Sequence, residues 1–200
     1  MDNANLSRHL PAMTPKPPRS PPNDIRVVEV LAFPAVQLLD VTGPIQVFAS
    51  ANRFMVEAGH AAPYALRVVA HGGQSVEATA GVELAVHPLS PGDADLDTLV
   101  IAGGDGVHVS SEDPVLVDWV RERVKKARRT ASVCTGAFLL AASGALDGRR
   151  AVTHWAFCAE LARRFPSVRV EADPIFMQDG PIWTSAGVTS GIDLALALVE

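Results

Sequence analysis

Cys134, Thr135 and Gly136 stand where Thr130 to Val133, small or β-branched, meets a run of good helix formers from Ala137 to Ala142. The first run reads as a buried strand and the second as a helix, closed by Gly144 and the Asp147-Gly148 pair. The Cys134 thiol is then on a sharp corner at the C-terminal edge of a sheet, facing the first free N–H groups of the next helix. A helix N-terminus favours negative charge, so this corner is expected to lower the thiol pKa and to hold an oxyanion or a carboxylate. That is the layout of a nucleophile elbow, with cysteine in place of serine. Cys-Thr-Gly is a short string, and a small buried cysteine chosen for its size fits the same residues. Faster alkylation of Cys134 than of Cys158 is expected on the elbow reading.

Three other places could contribute to such a site. Asp40, in Gln37-Leu-Leu-Asp40-Val-Thr-Gly-Pro44, follows the first strand just before a helix, at the sheet edge where ligands gather in open α/β folds. Asp40 or Thr42 could instead simply cap that helix, with Pro44 in its first turn. Gly103-Gly104-Asp105-Gly106 follows the strand Thr98 to Ala102, and glycines there let backbone approach a ligand closely. It is not a dinucleotide fingerprint, which needs other offsets and a later acidic partner. His154 could reach the thiol as a base, or be a packed histidine at a strand–helix junction. Cys158, inside the following helix, reads as core filler.

The elements that must position these residues alternate. Ile25 to Phe33, Tyr64 to His71, Thr98 to Ala102 and Thr130 to Val133 read as strands. Helices are expected through Ile45 to Met55, after Ser111-Glu-Asp-Pro114, after Cys134, over Ala156 to Phe165 and over Ile192 to Val199. Val76-Glu-Ala and Val82 to Val86 read as a hairpin side element, and Ile175 to Gln178 with Ile182 to Thr184 as a returning pair. The order implies an α/β fold, a parallel sheet with helices on both faces.

Two hundred residues, 48% hydrophobic and 20% charged with net charge −5, suit one domain with a substantial core. The densest basic run, Arg121 to Arg129, falls opposite the apolar stripe Leu116, Trp119, Val120, Val124 and Ala127. It reads as a solvated helix face, so direct nucleic-acid binding by this piece is not expected. Two cysteines without CxxC spacing argue against a disulfide framework or a zinc site, and suit a reduced cytoplasmic setting. No metal or cofactor is expected. No apolar run reaches the ~18 residues of a membrane span, and no signal pattern opens the chain. Residues 1–24 read as a disordered Pro-rich leader and 25–200 as the domain. Glu200 falls in mid-helix with no cap, so a further segment is expected to follow in a longer parent protein.

The combined order of Leu39-Asp40-Val-Thr-Gly-Pro44, Ile101-Ala-Gly-Gly104, Ser132-Val-Cys-Thr-Gly136, Thr153-His-Trp155 and Thr184-Ser-Ala-Gly-Val-Thr-Ser-Gly-Ile-Asp193 resembles the ThiJ/PfpI superfamily, with the class I glutamine amidotransferase-like fold. The resemblance runs from about residue 25 to 200 and implies a flavodoxin-like three-layer sandwich with a mostly parallel central sheet. Two branches share the pattern. Isonitrile hydratases add water to an isocyanide; GlxA-like AraC-family regulators carry the fold ahead of a helix-turn-helix domain. Phe48-Ala-Ser-Ala-Asn-Arg53, Leu96 to Gly104, His154-Trp-Ala-Phe-Cys and Asp173-Pro-Ile-Phe are more similar to the regulator branch.

The resemblance implies a ligand-sensing, homodimerising domain that lacks its C-terminal DNA-binding half. A small nitrogenous or carboxylate metabolite would lie between Asp40, Gly103, Gly104, Cys134 and Thr135, with His154 nearby. On the hydratase alternative Cys134 is the nucleophile and Asp40 the acid that donates and accepts protons, while the N–H groups of Gly104 and Thr135 stabilise developing charge. A third reading is a redox-responsive thiol in which Cys134 forms a sulfenic acid.

Overall fold

The computed structural model describes residues 25–199; the leader expected over 1–24 and the chain end at Glu200 lie outside the described residues. Strand β1 (Arg26–Leu31) is followed by α1 (Leu38–Glu57) and β2 (Tyr64–Ala70). β3 (Val76–Glu77) and β4 (Glu83–Leu84) form the expected small antiparallel hairpin, and β5 (His87–Pro88) joins the sheet edge. Then come β6 (Thr98–Ile101), the short α2 (Val107–Ser110), α3 (Pro114–Lys126) and β7 (Arg129–Val133). After the Cys134–Gly136 3-10 turn follow α4 (Ala137–Ala142), β8 (Arg150–Ala151), α5 (Cys158–Arg164) and β9 (Arg169–Val170). The antiparallel pair β10 (Phe176–Asp179) and β11 (Ile182–Ser185) leads into α6 (Ser190–Val199).

The central sheet runs in the order β10-β11-β7-β6-β1-β2-β5, parallel except for β10. β1 steps outward to β2 and β6 steps the opposite way to β7. Right-handed crossovers therefore place α1 and α3 on opposite faces. The central strands β1, β6 and β7 end in buried runs, apolar or small apart from Glu29, because both faces are covered. Three of them deliver their C-terminal ends to one place: Ala32 and Phe33 before α1, Gly103 after β6, and Cys134 after β7.

α3 begins as its sequence indicates, with Asp113 as N-cap accepting the Val115 N–H at 2.9 Å and Pro114 at the first helical position. Its charged face is not uniformly solvated. Arg123 is fully buried, and its guanidinium donates to Glu29 Oε2 (Nη2 at 2.8 Å, Nε at 3.2 Å) and to the Pro91 carbonyl at 3.1 Å. Ser90 also donates to Glu29. A carboxylate in the middle of β1 needs a cation, and the helical turn that brings Val120 to the core brings Arg123 with it. The helix expected over 156–165 is a 3-10 turn at Trp155–Phe157 followed by α5. Among the described residues no helix is long and apolar enough to cross a membrane.

Candidate functional site

β7 ends on a backbone that few side chains accept. Cys134 has φ +54°, in the left-handed region, while Val133 before it is extended. The turn closes because the next residues leave no alternative. A Cβ on Gly136 would come within 2.3 Å of the Ile101 carbonyl oxygen, so only glycine lets the chain bend against β6. The corner expected from the sequence is therefore formed, with the sulfur at its apex.

Its electrostatics differ from the expectation. The Cys134 thiol is pushed up to about 12, first by burial and then by the negative charge of Asp40; the Thr135 N–H and hydroxyl act in the opposite direction. Only 6% of Cys134 is exposed. A six-residue helix entered through a 3-10 turn offers few aligned peptides, and desolvation outweighs it.

Asp40 is not ahead of the helix but in its first turn, with Gln37 as N-cap. It does not cap. Its Oδ2 crosses to accept the Gly103 N–H at 3.0 Å, and Thr42 donates back to the Leu38 carbonyl at 3.0 Å. Oδ1 is buried and unpartnered. Burial raises the Asp40 carboxyl to about 7, against the lowering effect of the Gly103 N–H. Such an acid is partly protonated near neutrality and can hold a proton on Oδ1.

The glycine corner joins the two. A Cβ on Gly103 would be 2.7 Å from the Thr135 nitrogen and 2.8 Å from both Asp40 Oδ2 and Thr135 Oγ1. Gly104, at φ +137°, donates its N–H to Thr135 Oγ1 at 2.9 Å. That N–H, expected to face a ligand, is thus engaged by the Thr135 hydroxyl. Asp40, Gly103, Gly104, Cys134 and Thr135 come together at one sheet edge.

His154 has its local contacts within its own turn. Its Nδ1 accepts the Ala156 N–H at 3.3 Å, capping the 155–157 turn, and its ring packs against Trp155 and Phe157. This is the packed histidine of a junction. The residue before it was not singled out by the sequence: Thr153, fully buried, donates its hydroxyl to the Cys134 carbonyl at 2.8 Å. A threonine at a strand end gives no sign of a partner nineteen residues away. Cys158 is half-buried, its thiol directed at the Thr153 and His154 carbonyls.

Known proteins share this arrangement of chain. Isonitrile hydratase of Pseudomonas putida is 35% identical over 170 residues, 85% of this chain and 69% of that protein. The HTH-type transcriptional regulator CdhR of Pseudomonas aeruginosa is 32% identical over 173 residues, 84% of this chain and 48% of the regulator, so the chain spans about half of that relative. The crystal structure of a ThiJ/PfpI family protein from Pseudomonas syringae matches with a TM-score of 0.75 at 25% identity, over 97% of this chain and 76% of that one. Residues 26–200 match the DJ-1/PfpI family. A match over that length, on a sheet and corner of this form, shows that the chain belongs to the DJ-1/PfpI family.

Proposed function

We propose that this domain is a ligand-sensing domain of the kind carried by AraC-type transcription regulators. A small nitrogenous or carboxylate metabolite binds between Asp40, Gly103, Gly104, Cys134 and Thr135. The observation that carries this reading is a buried acid and a buried thiol meeting at one corner; burial and the Asp40 charge push the thiol up to about 12, so at neutral pH it stays protonated. Next to it Asp40 keeps one buried oxygen without a partner. A buried polar atom of that kind is a place for a ligand to hydrogen-bond. The relatives that are regulators support the same reading. The high thiol pKa weighs against the redox reading, because sulfenic acid formation follows the thiolate.

The test is thermal denaturation with a panel of small carboxylates, amides and amines. A ligand at a hundred times its Kd raises stability by about 2.7 kcal/mol. The shift is expected to disappear in Asp40→Asn, with no turnover of any ligand. No shift from any member of the panel, with turnover of an isocyanide, would overturn it.

One observation favours a second reading. An acid titrating near 7 beside a thiol suits isonitrile hydration. Asp40 would protonate the isocyanide carbon while Cys134 Sγ bonds to it, the thiol proton passing to the Asp40 carboxylate. Water would then add to that carbon, and cleavage of the C–S bond would release an N-substituted formamide and restore the thiol. Formamide production that is lost in Cys134→Ala would select this reading.

The sensing reading implies a cytoplasmic protein acting as a homodimer. The apolar groove between α1 and α6 supports the pairing: it encloses about 550 Å³ and is lined by Leu39, Val47, Phe54, Ile192 and Leu196 without a charged residue.

A further inference from the structure

A cysteine at φ +54° is strained, and persists only where its surroundings over-determine it. Two of the restraints act on the residues after it. Gly136 is pressed against the carbonyls of Ile101 and Ala102, and Thr135 Oγ1 accepts the Gly104 N–H. The third grips the peptide of Cys134 itself. The hydroxyl of Thr153 donates to the Cys134 carbonyl at 2.8 Å, in a place from which water is excluded.

That peptide unit is planar, and its two polar atoms point in opposite directions. Its carbonyl belongs to Cys134 and its N–H to Thr135. Fixing the carbonyl therefore fixes the direction of the Thr135 N–H, and Thr135 is the residue that favours the charged form of the sulfur. We propose that Thr153 is a positioning residue: by holding the Cys134 carbonyl it fixes the Cys134–Thr135 peptide and with it the left-handed corner that carries the sulfur.

Thr153 is itself anchored away from the sulfur. The N–H of its neighbour Val152 donates to Thr184 Oγ1 at 2.9 Å, and Thr184 on β11 stands opposite Ser132 on β7. The carbonyl of Thr153 takes the thiol of Cys158 at 3.9 Å. The next two residues are His154, which caps the following turn, and Trp155, which is 75% exposed. The hydroxyl of Thr153 thus joins a surface turn to the geometry of the sulfur. This inference concerns the sulfur alone and holds whether the site senses a ligand or hydrates one.

The test is alkylation of the folded full chain by iodoacetamide at about pH 9, with Cys134 and Cys158 quantified separately by peptide mass spectrometry. Thr153→Val keeps the shape and removes the hydroxyl; Thr153→Ser keeps the hydroxyl. In Thr153→Val the Cys134 rate is expected to fall by roughly threefold to tenfold, the value of one hydrogen bond, while Cys158 is unchanged. Thr153→Ser is expected to restore it. An unchanged Cys134 rate in Thr153→Val, or faster labelling of both cysteines from a loosened fold, overturns the proposal. Should the valine variant fail to fold, Thr153→Ala is read against Thr153→Ser by the same criterion.

Discussion

Asp40 accepts the backbone N–H of Gly103 through Oδ2 at 3.0 Å and leaves Oδ1 buried without a partner. One oxygen is thus committed to the scaffold, and the other has no partner in the protein. The bond ties the first turn of α1 to the end of β6, and so fixes the acid relative to the corner that carries Cys134. It also explains why a residue in a helix N-terminal turn does not behave as a cap: its side chain is spent across the sheet edge.

The same burial makes Asp40 a liability for the fold above neutrality. In an unfolded chain the carboxyl releases its proton near 3.8, in the folded protein near about 7. The folded state therefore binds the proton more tightly. Its contribution to stability is complete below about 3.8 and is lost as the pH rises through about 7. Asp40→Asn retains an acceptor for Gly103 and cannot titrate. Urea denaturation is expected to show this variant more stable than the parent by roughly 2–4 kcal/mol at about pH 8, the gap closing toward about pH 4. A gap that does not change with pH would count against the raised carboxyl.

Asp40 also acts on the sulfur, since its charge is the second cause of the high Cys134 pKa. Asp40→Asn is expected to speed iodoacetamide labelling of Cys134 several-fold at about pH 8.5, where the parent carries a charged carboxyl. Burial remains in the variant, so, against the sequence expectation of faster alkylation at Cys134, that residue should still label more slowly than the half-buried Cys158. An Asp40→Asn variant with the parent's Cys134 rate would show that the two groups do not sense each other.

Much of this was legible in the chain, and the remainder was not for definite reasons. The alternation of strands and helices, the hairpin at Val76 and Val82, and the Cys134 corner are local patterns, written in β-branched runs and in glycines whose backbone must bend. The convergence of Asp40, Gly103 and Thr135 follows once parallel strands end together. The sign of the Cys134 shift was not legible, because desolvation depends on what covers a residue and no local string encodes it. Arg123 was hidden for a related reason: a helical stripe counts apolar residues, while its partner Glu29 lies in another element. Glu29, a lone carboxylate in an apolar strand, was the available signal.

The Glu29–Arg123 pair yields its own expectation. Both side chains are essentially removed from water, with Nη2 to Oε2 at 2.8 Å. Losing one partner leaves a buried charge alone, which costs about 3–5 kcal/mol. Arg123→Met is expected to unfold at much lower urea, and adding Glu29→Leu to recover a large part of the loss. If the double variant is no more stable than Arg123→Met, the ion pair contributes more than its burial costs.

Gly103 separates the site from the fold. It lies outside the left-handed region, so an alanine there meets no backbone strain, only Asp40 and Thr135. Gly103→Ala is expected to displace the Thr135 backbone and abolish any ligand-induced thermal shift, with a loss of stability in the usual 0.5–3 kcal/mol range of point substitutions, roughly. A variant that still gives the parent's ligand shift would place the ligand elsewhere.

The α1–α6 face bears on pairing between copies. Phe54 is 59% exposed and Leu196 49%, each a large apolar side chain beside an uncharged groove. Arg53 and Glu57, one turn apart on α1 and 3.5 Å from each other, put both signs of charge at its end. A two-fold axis over such a face sets apolar against apolar and allows each charge to meet its opposite, which is the self-complementarity of an isologous interface. Leu39 and Thr42 flank Asp40 and line the same groove, so a partner seated there also covers the turn that carries the acid. Leu196→Glu would bury an unpaired charge at the pairing face while leaving the monomer's core untouched. Light scattering on size-exclusion peaks is expected to give twice the chain mass for the parent and a single chain for Leu196→Glu. A monomeric parent at high micromolar concentration, or a Leu196→Glu variant that remains paired, would remove this face as the contact.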